Sequence, residues 1–407
     1  MNTAENHKHW TDPHQLDARA VACLEDMAKT GFFLASTQSF ANYKRVWARD
    51  SIICGLSALT LDNSILHKAF ENSLLLLART QGPEGQIASN VQLNENSQPQ
   101  DISYGTLVGR VDPTLWFIIG IAHYLRHTPE SPHKKTLIEA VERGLKVLKA
   151  WEFNGRGFIY MPQGGSWADE YITEGYSLFT QLLYFWAQKL MAEHLGYEFD
   201  AQAAKDKINA NFWPQEAAAT PALHPVSHAR YLREEGVPKH YLASFKLAGY
   251  CTFFDGFAHA LAMLLDVPTP EQKKAILAYT DTLEQEMKAP LLPAFWPPIT
   301  PDDYLWTDLK NAYAFKFSNN PYEYSNGGAW PMVNGWWFMA YDKTGATDRR
   351  DTLERGLYST MSKEGMDFDE YLNAETMTPE GVTPCAWSAA AFVFIRQTRA
   401  GNNGLML

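Results

Sequence analysis

Carboxylates and aromatic rings are interleaved at several places in this chain, a pairing that suits the handling of a neutral sugar. Asp and Glu bind hydroxyls and move protons, while an aromatic face covers the C–H side of a pyranose. Cleaving a glycosidic bond asks for two carboxyl groups, one held as an acid and the other serving as base or nucleophile. In YMPQGGSWADEYITEG (160–175), Asp169 and Glu170 follow Trp167 and a Gly164-Gly165 turn. Desolvation beside a Trp disfavours the charged carboxylate, which suits a general acid. The same two acids would also suit the start of the apolar helix that follows, for dipole reasons. In MDFDEYLNAETMTPEG (366–381), Asp367, Asp369, Glu370 and Glu375 alternate with Phe368 and Tyr371. Not all four acids can be catalytic, and spacing alone does not choose among them.

Three further segments carry binding chemistry. In YKRVWARDSI (43–52), Arg49 and Asp50 follow Trp47 and open an otherwise apolar helix. Asp50 could accept sugar hydroxyls, with Arg49 orienting it through a charge-assisted bond; a plain structural ion pair is the alternative. In GTLVGRVDPTLWF (105–117), Arg110 and Asp112 precede a helix bearing Trp116, and Asp112 also reads as an N-cap. In NNPYEYSNGGAWPMVNGWW (319–337), Tyr322, Tyr324, Asn326 and Trp330 surround a Gly pair that lets backbone approach a ligand closely. Asp255 and His259 lie one helical turn apart, a spacing compatible with a metal. No third ligand follows at a matching spacing, so they read as core. No P-loop, GxGxxG, GxSxG or HExxH is present, and neither metal nor cofactor is expected.

The elements that must position these groups are helical. About twelve helix-length segments recur, roughly 15–30, 49–60, 64–79, 112–126, 134–152, 173–193, 200–211, 251–265, 270–286, 328–344, 347–362 and 384–398. Asp112-Pro113 and Thr269-Pro270-Glu271 are start signals, and Gly31 and Gly196 are stops. IICGLSALTL, LWFIIGIAHYL, LFTQLLYFWA and WPMVNGWWFMAY are apolar around most of their circumference and must be covered by a second layer. An inner covered set and an outer amphipathic set imply an all-α fold, an (α/α)6 toroid, with long functional loops (81–111, 153–172, 213–250, 287–327, 363–383) at one rim. No linker divides the chain, so residues 1–407 read as one domain.

Composition narrows the partners. The 407 residues carry 35 Lys plus Arg against 46 Asp plus Glu, a net charge of −11, with no basic run to suit nucleic acid or an anionic membrane. The 22 Phe, 19 Tyr and 13 Trp exceed what an ordinary core needs and fit a small-molecule carbohydrate partner. Exposed aromatics could also serve a homo-oligomer. Cys23, Cys54, Cys251 and Cys385 are far apart and read as reduced thiols. The start, MNTAENHKHW, lacks the apolar core of a signal peptide, and the longest apolar stretch, Leu115 to Ala122, is too short for a bilayer. A soluble cytoplasmic protein is expected.

With these motifs in order, the chain resembles the (α/α)6 glycoside hydrolases over roughly residues 40 to 398. It is most similar to the alkaline/neutral invertase family, and also to the glucosidase I, glucosylglycerate hydrolase and glycogen-debranching glucosidase group. WARDSIICGLSAL, GRVDPTLWFIIGIAHY, FDGFAHALAMLLDVPTPEQKKAIL and PYEYSNGGAWP are the matching segments. The resemblance implies that Asp169, after Gly165-Ser166, is the general acid, and Glu370, before Tyr371, the general base of an inverting α-glycosidase. It further implies that Arg49, Asp50, Asp112, Asn326 and Trp330 line the sugar site; Trp47, Trp116, Trp167 and Tyr324 join them as flanking aromatics. Two departures weigh against sucrose itself: Glu170-Tyr171 follows the acid where invertases have Arg-Arg, and Ser325 stands where they have His. The expected substrate is a small gluco-configured glycoside. A 2-epimerase on the same barrel, which would need a His base, and a non-catalytic sugar-binding barrel are the rival readings.

Overall fold

Helices apolar on every side need a covering layer, and the computed structural model shows how it is supplied. It describes residues 13–216, 220–287, 290–361, 367–402 and 405. The amino-terminal stretch read for a leader, and residues 363–366 of the last long loop, lie outside the described residues. The helices in chain order are α1 (Pro13–Met27), α2 (Ala48–Ala58), α3 (Ser64–Arg79), α4 (Asp112–His127), α5 (Lys134–Ala150), α6 (Leu178–Leu195) and α7 (Ala201–Phe212). They continue as α8 (Pro225–Glu235), α9 (Gly256–Leu264), α10 (Pro270–Glu286), α11 (Trp306–Asn311), α12 (Pro331–Thr344), α13 (Thr347–Met361) and α14 (Ala386–Arg399).

Six of them form a closed inner ring. Helix α2 packs on α4, α4 on α6, α6 on α9, α9 on α12, α12 on α14, and α14 returns to α2. Helices α1, α3, α5, α7, α10 and α13 alternate with these along the chain, and α1, α3, α5, α7 and α13 pack on α14, α2, α4, α6 and α12 respectively. The division follows the sequence pattern. In α9 every residue from Gly256 to Leu264 is buried, whereas α5 buries Leu137, Ala140, Val141, Gly144, Val147 and Leu148, a single stripe at helical spacing. The centre is filled rather than open. Trp116 of α4 packs against Phe179 and Trp186 of α6, Phe257 of α9 and Trp336 of α12, with ring centroids 6.0–6.5 Å apart. Close approach of α12 to α14 depends on Gly335, where a Cβ would fall 2.5 Å from that of Ala391.

All twelve expected helices are present, and their starts shift for a physical reason. Short strands occupy the rim: β1 (Val46–Trp47), β2 (Asn90–Leu93), β3 (Pro99–Ser103), β4 (Tyr176–Ser177) and β5 (Ser244–Lys246). They are followed by β6 (Gly249–Cys251), β7 (Phe254–Asp255), β8 (Phe295–Trp296), β9 (Tyr371–Leu372) and β10 (Pro379–Glu380). Residues read as the first turns of α6 and α9 instead pair as β4 with β5 and β7 with β8. Helices α8 and α11 fall in loops read as irregular. Gly196 ends α6 in the left-handed conformation, and Thr269 with Gln272 forms a capping box on α10. The first helix ends at Met27, four residues before Gly31. All four cysteines are free thiols. Among the described residues no helix is long and apolar enough to cross a membrane.

Candidate active site

The inner helices bring their N-terminal ends to the rim where the strands lie. Trp47 caps α2, Asp255 caps α9, Trp330 caps α12, and Asp112 is the first residue of α4. Helix N-termini favour negative charge, so a ring of them stabilises carboxylates that burial would otherwise penalise. At this rim lies a cavity of about 250 Å³. Its walls include Trp47, Arg49, Asp50, Asp169, Tyr324 and Glu370, so six of the expected site residues meet in one place although Trp47 and Glu370 are more than three hundred positions apart.

Glu370 is the best-held of them. It is 2% exposed; its Oε1 accepts from the Tyr43 hydroxyl at 2.7 Å and its Oε2 from the Val382 N–H at 3.0 Å. Burial pushes its carboxyl up to about 7 against those two bonds, with the charges of Asp50 and Asp169 adding to the rise. Of the four acids Asp367, Asp369, Glu370 and Glu375 in this loop, Glu370 is the one that lines the cavity. Asp369 accepts from Thr383 at 2.6 Å, while Asp367 and Glu375 are exposed. Gly381 is part of the same holding. Its φ is +80°, and a Cβ there would fall 2.3 Å from Glu370 Oε2. Gly381→Ala should therefore push the carboxylate aside while leaving it present. A fall in kcat of about ten- to a hundredfold is expected, with helical circular dichroism unchanged; unchanged kcat would show that the contact does not matter.

Asp169 is held from the other side. Arg110 Nη2 lies 3.2 Å from its Oδ2, and Arg110 Nη1 donates to its backbone oxygen at 2.9 Å and to that of Gly164. Its neighbour Glu170 also faces the cavity. Glu170 Oε1 accepts from the Ala314 N–H at 2.9 Å and its backbone oxygen from the Asn319 side chain at 2.8 Å. Burial pushes its carboxyl up to about 7.

Arg49 binds differently from the expectation. Its Nη1 donates to Asp112 at 3.0 Å, whereas its Nε lies 3.8 Å from Asp50, and its guanidinium sits 5.2 Å above the Trp387 ring. Asp112, the first residue of the adjacent helix α4, lies within hydrogen-bond distance of the guanidinium, and Asp50 does not. Asp50 thus keeps its carboxylate free of a close ion pair, and burial pushes it up to about 6 with Arg49 opposing. Asp112 is fully buried, and its carboxyl is raised by burial.

The remaining expected residues stand behind the cavity wall. Trp116 belongs to the central aromatic cluster and is 0% exposed. Asn326 clamps a loop: it donates to Ile299 O at 2.8 Å and Asn319 O at 3.1 Å and accepts from Ile299 N at 2.7 Å, leaving little for a ligand. Trp167 stacks on Phe295 at 5.6 Å and 10°. Trp330 stacks on Tyr371 at 5.6 Å and 25° and meets Trp387 edge-on. Trp330 thereby supports the lining residues Tyr371 and Trp387, whereas the ring partners of Trp167 lie outside the lining. Tyr43, Tyr371 and Trp387 line the cavity although none of them was expected to contact the sugar. Tyr43 lies in the very segment that carries Arg49 and Asp50, but nothing in its spacing points to Glu370. His259 stays in the core, where its Nδ1 pairs with the Asp255 backbone oxygen at 2.7 Å and its ring stacks on Phe254. Among the described residues no group of three His, Cys, Asp or Glu is gathered as for a metal ion.

No protein-family model and no curated protein matches the sequence. Solved structures do. The GH63 mannosylglycerate hydrolase from Thermus thermophilus in complex with glucose is similar at a TM-score of 0.62 and 16% identity, over 93% of this chain and 99% of that one. The same hydrolase with Tris and D-glycerate gives 0.64 and 14% over the same shares. A wild-type glycosidase gives 0.61 and 12%, over 97% of this chain and 98% of that one. At such identities the likeness speaks for architecture alone. In its fold, then, the chain is an (α/α)6 six-hairpin toroid of the kind that these glycosidase structures share.

Proposed function

We propose that the protein is an inverting glycoside hydrolase acting on a small gluco-configured glycoside. The observation that carries this is the meeting of Asp169 and Glu370 in one aromatic-walled cavity, each held by its own set of donors. In this reading Asp169 protonates the glycosidic oxygen as the bond to the anomeric carbon breaks. Glu370 takes a proton from a water that attacks that carbon from the opposite face, and the product carries inverted configuration. Tyr43 and the Val382 N–H aim the Glu370 carboxylate, and in the same reading Asp50 and Trp47, which line the cavity, hold hydroxyls and a ring face. The fold likeness to glycosidases, one of them named for mannosylglycerate, favours the same chemistry. An epimerase is disfavoured because no histidine among the described residues lines the cavity.

The test is a panel of sucrose, trehalose, kojibiose, isomaltose, maltose, glucosylglycerate and mannosylglycerate, with proton NMR reading the first-formed anomer. Inverted product supports the reading; a single isomerised product, or binding without turnover of any of them, would sink it. The pH dependence gives an independent check. A base must be ionised, and Glu370 is held near 7, so kcat/KM should fall about tenfold per unit as pH drops below 7. A rate flat between pH 5 and 8 would remove Glu370 from that role.

A further inference from the structure

Phe40 and Phe315 line the cavity, yet 57% and 61% of their surface remains exposed. Rings that both line a cavity and stay open to water stand at its mouth, and two of them on one opening form a surface that a ligand can cover. Each is connected to a carboxylate that lines the cavity, Phe40 to Glu370 and Phe315 to Glu170. Phe40 stacks near Tyr43, 6.1 Å away at 29°, and Tyr43 holds Glu370. Phe315 follows Ala314, whose N–H is bonded to Glu170, and Asn319 ties the far side of the same loop to the Glu170 backbone. The residue that follows the acid, where the invertases differ, is thus the anchor of an aromatic lip.

Charge narrows what this lip would accept. Five carboxylates line the cavity (Asp50, Asp169, Glu170, Glu370, Glu380) against three cations (Arg49, Arg110, Lys316). Arg49 is committed to Asp112 and Arg110 to Asp169. Among the described residues Lys316 is the one lining cation outside an ion pair, and it lies in the same loop as Phe315. An anionic leaving group would meet one exposed lysine amid several acids, whereas a neutral ring would meet two open aromatic faces.

We propose that Phe40 and Phe315 form the leaving-group side of the site and select a neutral, ring-bearing aglycone over a small anion such as D-glycerate. This rests on the glycosidase reading, and the substrates are chosen to separate the two. α-D-Glucosyl and α-D-mannosyl fluoride need only the sugar-binding side: the C–F bond breaks, water supplies the new C–O bond, and its proton passes to Glu370. Maltose and 4-nitrophenyl α-glucoside add a neutral ring, and glucosylglycerate and mannosylglycerate add an anion. The wild-type protein should favour the ring aglycones over the glycerates by about tenfold or more in kcat/KM. Phe40→Ala with Phe315→Ala should raise KM for the ring aglycones about tenfold while leaving the fluoride within about twofold. Maltose against the nitrophenyl glucoside then tells a second sugar from an aryl group. Glycerates turned over as well as the ring substrates, or ring substrates indifferent to the double variant, would overturn the inference with the glycosidase reading intact. Failure to hydrolyse either fluoride would overturn both.

Discussion

Asp169→Asn is expected to lower kcat on disaccharides by about 10²–10⁴-fold while leaving glycosyl fluorides within about tenfold of the unaltered protein. Asparagine has nearly the shape of aspartate, and its amide oxygen can still accept from Arg110. The backbone oxygen at 169 continues to accept from Arg110 Nη1, so the loop keeps its anchor. What is lost is the proton given to the leaving oxygen. A sugar alkoxide leaves poorly without that proton, whereas fluoride leaves without help. The split between the two substrates is therefore the signature of an acid. Equal loss on both would mean that Asp169 serves binding or folding, and equal retention would free it of any role.

Glu370→Gln should abolish turnover of disaccharides and fluorides alike, by about 10²–10⁴-fold, because attack by water needs the base whatever leaves. It should also change stability in a pH-dependent way. A carboxyl whose ordinary value is 4.5 and whose folded value is about 7 is neutral in the folded protein where the unfolded chain has already ionised. Its cost to folding is absent below about 4.5, grows between 4.5 and 7, and is complete above 7, where that difference corresponds to about 3 kcal/mol. Glutamine does not ionise, so the variant should gain on the unaltered protein by about that much between pH 4 and pH 8. Part of the gain at pH 8 is offset, since glutamine has one acceptor oxygen for the two donors Tyr43 and Val382, and an orphaned donor costs about 1–3 kcal/mol. Thermal melts at the two pH values measure the difference. Equal stability changes at pH 4 and pH 8 would show that Glu370 is not held near 7.

Taken together, the two variants separate the carboxylates by role. Loss on all substrates with a pH-dependent stability gain belongs to a buried base; loss confined to poor leaving groups belongs to an acid. Gly381→Ala tests whether Glu370 must also be aimed.

The helical skeleton was legible because burial writes a periodic pattern. A helix such as LWFIIGIAHYL, apolar on all sides, can only lie inside, and KKTLIEAVERGLKVLKA, with one apolar stripe, can only lie outside. Asp169 and Glu370 were legible as candidates because loops that carry acids, glycines and aromatic rings together are rarely needed for packing alone. Which side chains face the cavity was decided only by the tertiary fold. Asn326 and Trp116 have the residue types of a sugar site, yet one is consumed by three backbone bonds and the other by the rings of three neighbouring helices. Asp367, Asp369, Glu370 and Glu375 look equivalent along the chain. They differ because the hairpin of β9 and β10 brings Val382 and Gly381 against one carboxylate, and Tyr43 reaches it from the other end of the chain. A hydrogen bond between residues 327 positions apart has no local trace, since nothing in either segment's spacing depends on the other until the ring of helices closes.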